Sequence, residues 1–196
     1  MAPATMLWEL HRFRRKRVDQ VRCLFQTIEM TRMEGSLAPT STLPGATAAD
    51  VARGICRLFA RNDIWCLPEV PLRNSRRADL MGIDAKGRVV IVEIKISRAD
   101  LLGDGKWPDY LDFCDRFYWG LPVGLDRAPL DGADYRPDCC GVIVADGYDA
   151  EIVRPAPSQP LAAARRKVEV ERLARAALRR HLVGLDPDCA PWGMPG

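Results

Sequence analysis

The stretch RRADLMGIDAKGRVVIVEIK, residues 76–95, decides the fold. Two apolar runs meet through a short turn containing Gly87. Val89, Val90, Ile91 and Val92 precede Glu93, and Ile94 and Ile96 continue the second run. A segment apolar on both faces reads as a central strand covered on both sides. Charges are rarely buried in such a strand unless they are paired or bound to metal. Side chains alternate along a strand, so Glu93 and Lys95 share one face.

Hairpin register decides whether Asp79 joins them. A three-residue loop, Ala85-Lys86-Gly87, puts Gly87 in the left-handed position and pairs Asp84 with Arg88. Asp79 then lies opposite Glu93, on the same face. A four-residue loop from Asp84 to Gly87 pairs Asp79 with Val92 and turns it away. The first register is preferred because it gathers the three charges. Two carboxylates of this kind suit a hard cation such as Mg²⁺, with Mn²⁺ as a substitute, and a lysine beside an attacking water. The competing reading is an ordinary Asp/Glu/Lys cluster in which Lys95 neutralises the acids.

These residues resemble the PD-(D/E)xK, or restriction-endonuclease-like, nuclease superfamily. The motif stands as Ala78-Asp79 and then Glu93-Ile94-Lys95, with Ala78 in place of the proline. Within that superfamily the chain resembles the bacterial MmcB-type DNA repair family. The segments that carry this are RRADL (76–80), VVIVEIK (89–95), KWPDYLDFCDRFYW (106–119), GVIVADGYDAEIVR (141–154) and LAAARRK (161–167). The resemblance covers about residues 48–183. It implies an α/β fold, a restriction-endonuclease-like core in which a mixed β-sheet is flanked by helices. It also implies a role in DNA repair, with DNA and repair proteins as partners. Asp79, Glu93 and Lys95 are then the catalytic set, and Asp79, Glu93 and the main-chain carbonyl of Ile94 the ligands of Mg²⁺. Many superfamily members carry a glutamate on the first helix. The helix expected over 48–61 has only Asp50 in its first turn, where an acid also suits the helix dipole. Glu69, just before the Asp79 strand, is the nearest spare carboxylate. The expectation is therefore a metal-dependent nuclease acting on DNA. The alternative is a non-catalytic DNA- or protein-binding repair factor on the same fold.

Length and composition fit one domain with tails: 196 residues, 47% of them hydrophobic. No apolar run reaches the ~20 residues that span a bilayer, and no signal peptide is evident, which points to the cytoplasm. The seven cysteines include no CxxC pair, and His11 and His181 are isolated at the ends, so zinc-site spacing is missing. Cys56, Cys66 and Cys114 read as core residues. The net charge of +3 is unevenly spread. Residues 50–150 carry 14 basic and 17 acidic side chains, whereas residues 151–196 carry 8 and 5. Basic flanks suit a polyanion held against an acidic core, and equally a solvated helix face. Arg76, Arg77, Lys106, Arg165, Arg166 and Lys167 are the candidate DNA contacts. Arg166 has an ion pair with the acidic core as its competing explanation.

Residues 1–47 read as an N-terminal tail and linker, the part before Met33 being a tail or the product of a start assigned too early. The domain spans 48–183, and 184–196 form a C-terminal tail that frays. Strands are expected near 65–72, 77–84, 88–96, 116–121, 142–145 and 150–153. Pro68 and Pro71 place the first at an edge. A helix is expected at about 108–115 and another over 161–182, capped by Ser158. Trp107 and Tyr110 lie three apart and read as packing residues in preference to base-stacking ones. Asp109, Asp112 and Asp115 read as a solvated acidic stripe. A chain beginning at Met33 is expected to keep its fold. Its thermal midpoint should stay within about 2 °C of the full chain, less than a loss of ~1 kcal/mol would shift it. Calorimetric unfolding of the two chains checks this.

Overall fold

A three-residue turn sets the register of the molecule. Asp84 N–H donates to the Arg88 carbonyl at 3.0 Å, and Gly87 N–H donates to the Asp84 carbonyl at 2.8 Å. Gly87 has φ +72°, the left-handed region open to glycine. Asp84 reinforces the turn: its Oδ1 accepts from Lys86 N–H and Arg88 N–H, and its Oδ2 binds the Arg88 guanidinium. The computed structural model describes residues 46–193, all within the unit Pro44–Gly196. The proposed start at Met33 and nearly all of the N-terminal tail lie outside the described residues.

Six strands form one mixed sheet: β1 (Ile64–Pro71), β2 (Arg77–Asp84), β3 (Val89–Ile94), β4 (Arg116–Pro122), β5 (Cys140–Ala145) and β6 (Ala150–Arg154). They lie in sequence order across it. β1, β2 and β3 are antiparallel neighbours, β3, β4 and β5 run parallel, and β6 returns antiparallel. In the β2–β3 ladder Leu80 faces Val92 and Ile83 faces Val89. That is the three-residue-loop register. β3 is buried along its whole length, as its double apolar pattern requires. β1 is an edge strand, where Pro68 and Pro71 do no harm by lacking N–H groups.

Each sheet face has its own core. Helix α1 (Ala48–Arg61) packs Val51, Ile55 and Phe59 onto Leu80, Val90, Val92, Tyr118 and Ile143. Thr47 and Asp50 form a reciprocal capping box at its start. The helix lies close to the sheet at Gly120, where an added Cβ would sit 2.8 Å from Ile55 Cδ1. The opposite face is covered by a 3-10 segment, Trp107–Phe113, and by helix α3 (Ala163–Leu185), which contributes Leu173. A short helix α2 (Arg98–Gly103), capped by Ser97, precedes the 3-10 segment. The α/β class and the helix-flanked mixed sheet are as expected.

Several local expectations change. The segment after Lys106 is a 3-10 helix because Trp107, Tyr110 and Phe113 must all face inward. At three residues per turn, positions i and i+3 align. The chain between 122 and 138 holds two 3-10 turns, Ala128–Asp131 and Ala133–Tyr135. Ser158 does not cap α3, whose N-cap is Ala162 without a side-chain bond. Instead Gln159 N–H and Leu161 N–H are held by Asp115, so 159–161 is pinned to the sheet before the helix begins. Pro187–Gly193 forms 3-10 turns.

Asp115 is no part of a solvated stripe. It is fully buried, with Val89 N–H, Leu161 N–H and Arg166 all donating to its carboxylate. These bonds overcome the burial that would raise it and hold its pKa below the usual carboxylate range. Asp115→Ala should cost about 3 kcal/mol by orphaning these donors, measured as a lower urea midpoint. Arg166→Ala should cost less, because the two N–H donors remain.

Candidate active site

β2 and β3 deliver three charges to one place. Continuing the β2–β3 ladder by one pair sets Asp79 opposite Glu93. Asp79 Oδ2 accepts from Ile94 N–H at 2.7 Å, tying its carboxylate to the end of β3. Lys95 continues the parallel ladder through its N–H to the Gly120 carbonyl at 2.9 Å. Glu93 and Lys95 are both buried, at 7% and 6% exposure. Their side chains meet at 3.2 Å through Lys95 Nζ and Glu93 Oε1. The other oxygen, Glu93 Oε2, is buried without a hydrogen-bond partner.

The charges perturb one another. Burial, then the Asp79 charge, pushes Glu93 up to about 7 against the pull of Lys95. Burial also raises Asp79, offset in part by Ile94 N–H and Lys95 and reinforced by Glu69. Burial alone would lower Lys95. Its bond to Asp104, with the charges of Glu93, Asp104 and Asp100, outweighs this and holds the ammonium above its ordinary pKa. Tyr110 is likewise raised, by burial, then by the charges of Glu93, Asp79 and Asp104, and by Glu93 as a neighbouring acceptor, although its hydroxyl donates to the Arg77 carbonyl at 3.2 Å and leaves Glu93 Oε2 without a bond.

Glu93, Lys95 and Tyr110 border an open groove of about 410 Å³, whose lining also includes Arg76, Asp100, Asp104 and Lys106 but not Asp79. Glu169 also has an unpartnered buried oxygen, but it does not line the groove. Among the described residues no cluster of three or more His, Cys, Asp or Glu side chains is arranged to hold a metal ion. A cation here would draw on two carboxylates and the Ile94 carbonyl, with water completing the shell. That composition suits Mg²⁺, which keeps several of its waters. The partnerless Glu93 Oε2 and the raised acids are the features a cation held between the two carboxylates would satisfy.

The remaining predicted residues divide. Glu69 sits in a left-handed conformation within β1, φ +54°, and its carboxylate pairs with Arg77 Nε at 2.5 Å. Its carbonyl and that of Pro68 accept from Arg180 on α3. Glu69 acts on Asp79 through charge, but its carboxylate is committed to Arg77. Arg76 lines the groove and pairs with Asp109 at 2.9 Å. Lys106 also lines it and is exposed. Arg165 lies over the Phe113 ring at 5.2 Å, and Lys167 is exposed beside Glu171. Arg166 is the correction: its guanidinium grips buried Asp115 and the Leu161 carbonyl, so it serves the core. Trp107 is also a core residue, packed on Phe117 and Trp119. Sequence reasoning missed Asp104 and Asp100, which reach Lys95 Nζ at 2.8 and 3.8 Å. The one signal for Asp104 was its setting in Gly103-Asp104-Gly105, a turn that lets the chain return over the end of β3.

The DNA repair protein MmcB-like family matches residues 38–187, and the chain belongs to that family. No curated protein matches it. Among solved structures it is similar to the SPO1766 protein of unknown function from Silicibacter pomeroyi. Identity is 40%, TM-score 0.63, and coverage 76% of this chain and 95% of that one. A repair endonuclease from Pyrococcus abyssi aligns at 17% identity and TM-score 0.37, over 52% of this chain and 46% of that one. At that score the second match carries neither fold nor function across. No helix among the described residues is long and apolar enough to cross a membrane.

The raised pKa of Glu93 has a definite sign. Between its ordinary value near 4.5 and about 7, the folded state holds a proton that the unfolded state has released. Stability therefore falls as pH rises through that window, and the penalty is complete above about 7. Glu93→Gln should raise stability at pH 8 by on the order of 2 kcal/mol and change it little at pH 4. Urea unfolding at the two pH values checks this.

Proposed function

We propose that the chain is a metal-dependent nuclease that hydrolyses phosphodiester bonds of DNA in repair. The observation that carries this reading is buried Glu93, with an unpartnered Oε2, on a groove wall with Lys95, while Ile94 N–H holds the Asp79 carboxylate at the same strand end. Asp79, Glu93 and the Ile94 carbonyl would hold Mg²⁺ or Mn²⁺. When bound, the ion supplies Lewis-acid polarisation of the phosphoryl oxygen and a water of lowered pKa. Lys95 stays protonated and presents its ammonium beside the carboxylates, where it orients the attacking water or steadies charge developing on the phosphate. Ile94 N–H holds the Asp79 carboxylate in place. Arg76 and Lys106 line the groove and can meet backbone phosphates as DNA is drawn in. Arg77, Arg165 and Lys167 lie outside the groove lining and would meet phosphates only beyond it. Membership in a DNA repair family supports DNA as the substrate.

A second reading is a repair factor that binds DNA or protein without cutting. It is favoured by the way Lys95 is already taken up by three carboxylates, as in a self-neutralised cluster. Divalent-metal binding separates the two.

Asp79→Asn should reduce Mg²⁺-dependent cleavage by about 100-fold or more while leaving DNA affinity unchanged. Lys106→Ala should weaken DNA binding and lower the slope of log K against log salt by about 1, with metal affinity intact. Titration calorimetry with Mg²⁺ and Mn²⁺, cleavage assays and salt-series binding measure these. Wild-type protein that binds neither cation, or an Asp79→Asn variant that cuts normally, would overturn the nuclease reading.

A further inference from the structure

We propose that Asp104 is the positioning residue that fixes the Lys95 ammonium for reaction. This inference rests on the nuclease reading for its kinetic consequence, though not for the contact itself. Three carboxylates surround Lys95 Nζ, and they are not equivalent. Asp104 Oδ2 is nearest at 2.8 Å, Glu93 Oε1 lies at 3.2 Å and Asp100 Oδ1 at 3.8 Å.

Asp104 is also the one whose carboxylate is anchored by the main chain. Its Oδ1 accepts from Lys106 N–H at 2.9 Å, which leaves Oδ2 aimed at the lysine. Its side chain is only 13% exposed, against 45% for Asp100. A charge-assisted bond shielded from water and fixed at its far oxygen holds its geometry better than one made by a mobile surface acid. The backbone on either side permits this approach: Gly103 and Gly105 flank Asp104, and α2 ends there, so the chain turns back toward β3.

Glu93 has a different part. A cation held at Glu93 Oε2 would draw charge from the carboxylate that Lys95 shares through Oε1 and weaken that contact. An ammonium that lost this partner would swing on a four-carbon stem unless another anion kept it. Asp104 is that anion. It holds Lys95 on the Glu93 side of the groove while Glu93 is engaged elsewhere. Displacement of a reacting group by about 1 Å can cost about 100-fold in rate, so a lysine held in place matters to the chemical step.

Three variants in the full chain test this: Asp104→Asn, Asp104→Glu and Asp100→Asn. Asp104→Asn should lower kcat for DNA cleavage by about 100-fold, with KM for DNA and calorimetric Mg²⁺ affinity within about twofold of wild type. Asp104→Glu, which keeps the charge, should recover most of kcat. Asp100→Asn, at the longer 3.8 Å contact, should lower kcat far less than Asp104→Asn does. An independent readout is the side-chain ammonium resonance of Lys95 in a proton–nitrogen correlation spectrum, assigned by its loss in Lys95→Met. Wild type should show a slowly exchanging signal that broadens away in Asp104→Asn and persists in Asp100→Asn.

An Asp104→Asn variant with normal kcat would overturn the proposal. So would one that loses Mg²⁺ affinity, since Asp104 would then be a metal ligand. If wild type neither cuts nor binds metal, the nuclease reading fails by itself and the resonance still decides the contact. A Lys95 signal insensitive to Asp104→Asn, or absent in wild type, would show that Asp104 does not hold the ammonium.

Discussion

The β2–β3 register is the constraint on which the rest depends. Strand side chains alternate with a period of two, so a slip of one residue would turn Asp79 from the Glu93 side of the sheet to the opposite core. The left-handed Gly87 and the twofold grip of Asp84 on the turn exclude that slip. The same register places Leu80, Val90 and Val92 against α1 and Met81, Val89 and Ile91 against the 3-10 segment and α3. One local geometry thus sorts the apolar side chains between two cores and brings the charges together. A change at the turn would be felt in packing and in the site at once.

Charges at the end of a doubly covered strand carry a desolvation cost, and the groove shows how it is shared. Lys95 is offset by Asp104 and Glu93 and keeps its proton. Glu93 is offset by Lys95 on one oxygen alone, while Asp79 repels it, so its proton affinity rises. Asp79 lies between these cases, with Ile94 N–H as its main compensation. The cluster is therefore rigid in its lysine and under-compensated in its acids. A bound dication would reverse that balance, because it favours the ionised carboxylates that burial now disfavours.

Much of this was legible in the sequence because it follows from local rules. The turn residues marked a hairpin whose register was chosen by the gathering of three charges, the unbroken apolar run identified β3 as central, and the two prolines marked β1 as an edge. The α3 cap and the 3-10 segment were misjudged for one reason: tertiary partners overrode local signals. Ser158 is a good capping residue by type, but its neighbours Gln159 and Leu161 are drawn onto Asp115, forty-odd positions earlier in the chain. Arg166 was grouped with the DNA-facing arginines because a basic run carries no mark of which member turns inward. Asp104 was missed because its link to Lys95 crosses a turn whose path composition does not specify.

Asp115 and Glu93 show what distinguishes a structural buried carboxylate from a chemical one. Both are buried acids associated with β3, one beside its first residue and one near its last. The five steps of a six-residue strand separate its ends by about 17 Å. At the start, Asp115 receives two main-chain N–H groups and a guanidinium, and its pKa is held below the usual range. At the end, Glu93 receives one ammonium and keeps a bare oxygen, and its pKa rises to about 7. The sequence therefore has the means to satisfy a buried acid fully and does so where the role is to pin α3 and its approach to the sheet. It leaves an acid unsatisfied where β3 opens into a groove with a lysine and a second carboxylate. Glu169 also has a bare oxygen, but it does not line the groove. The candidate site is set apart by the combination of an under-compensated acid, access from solvent and a lysine already fixed beside it.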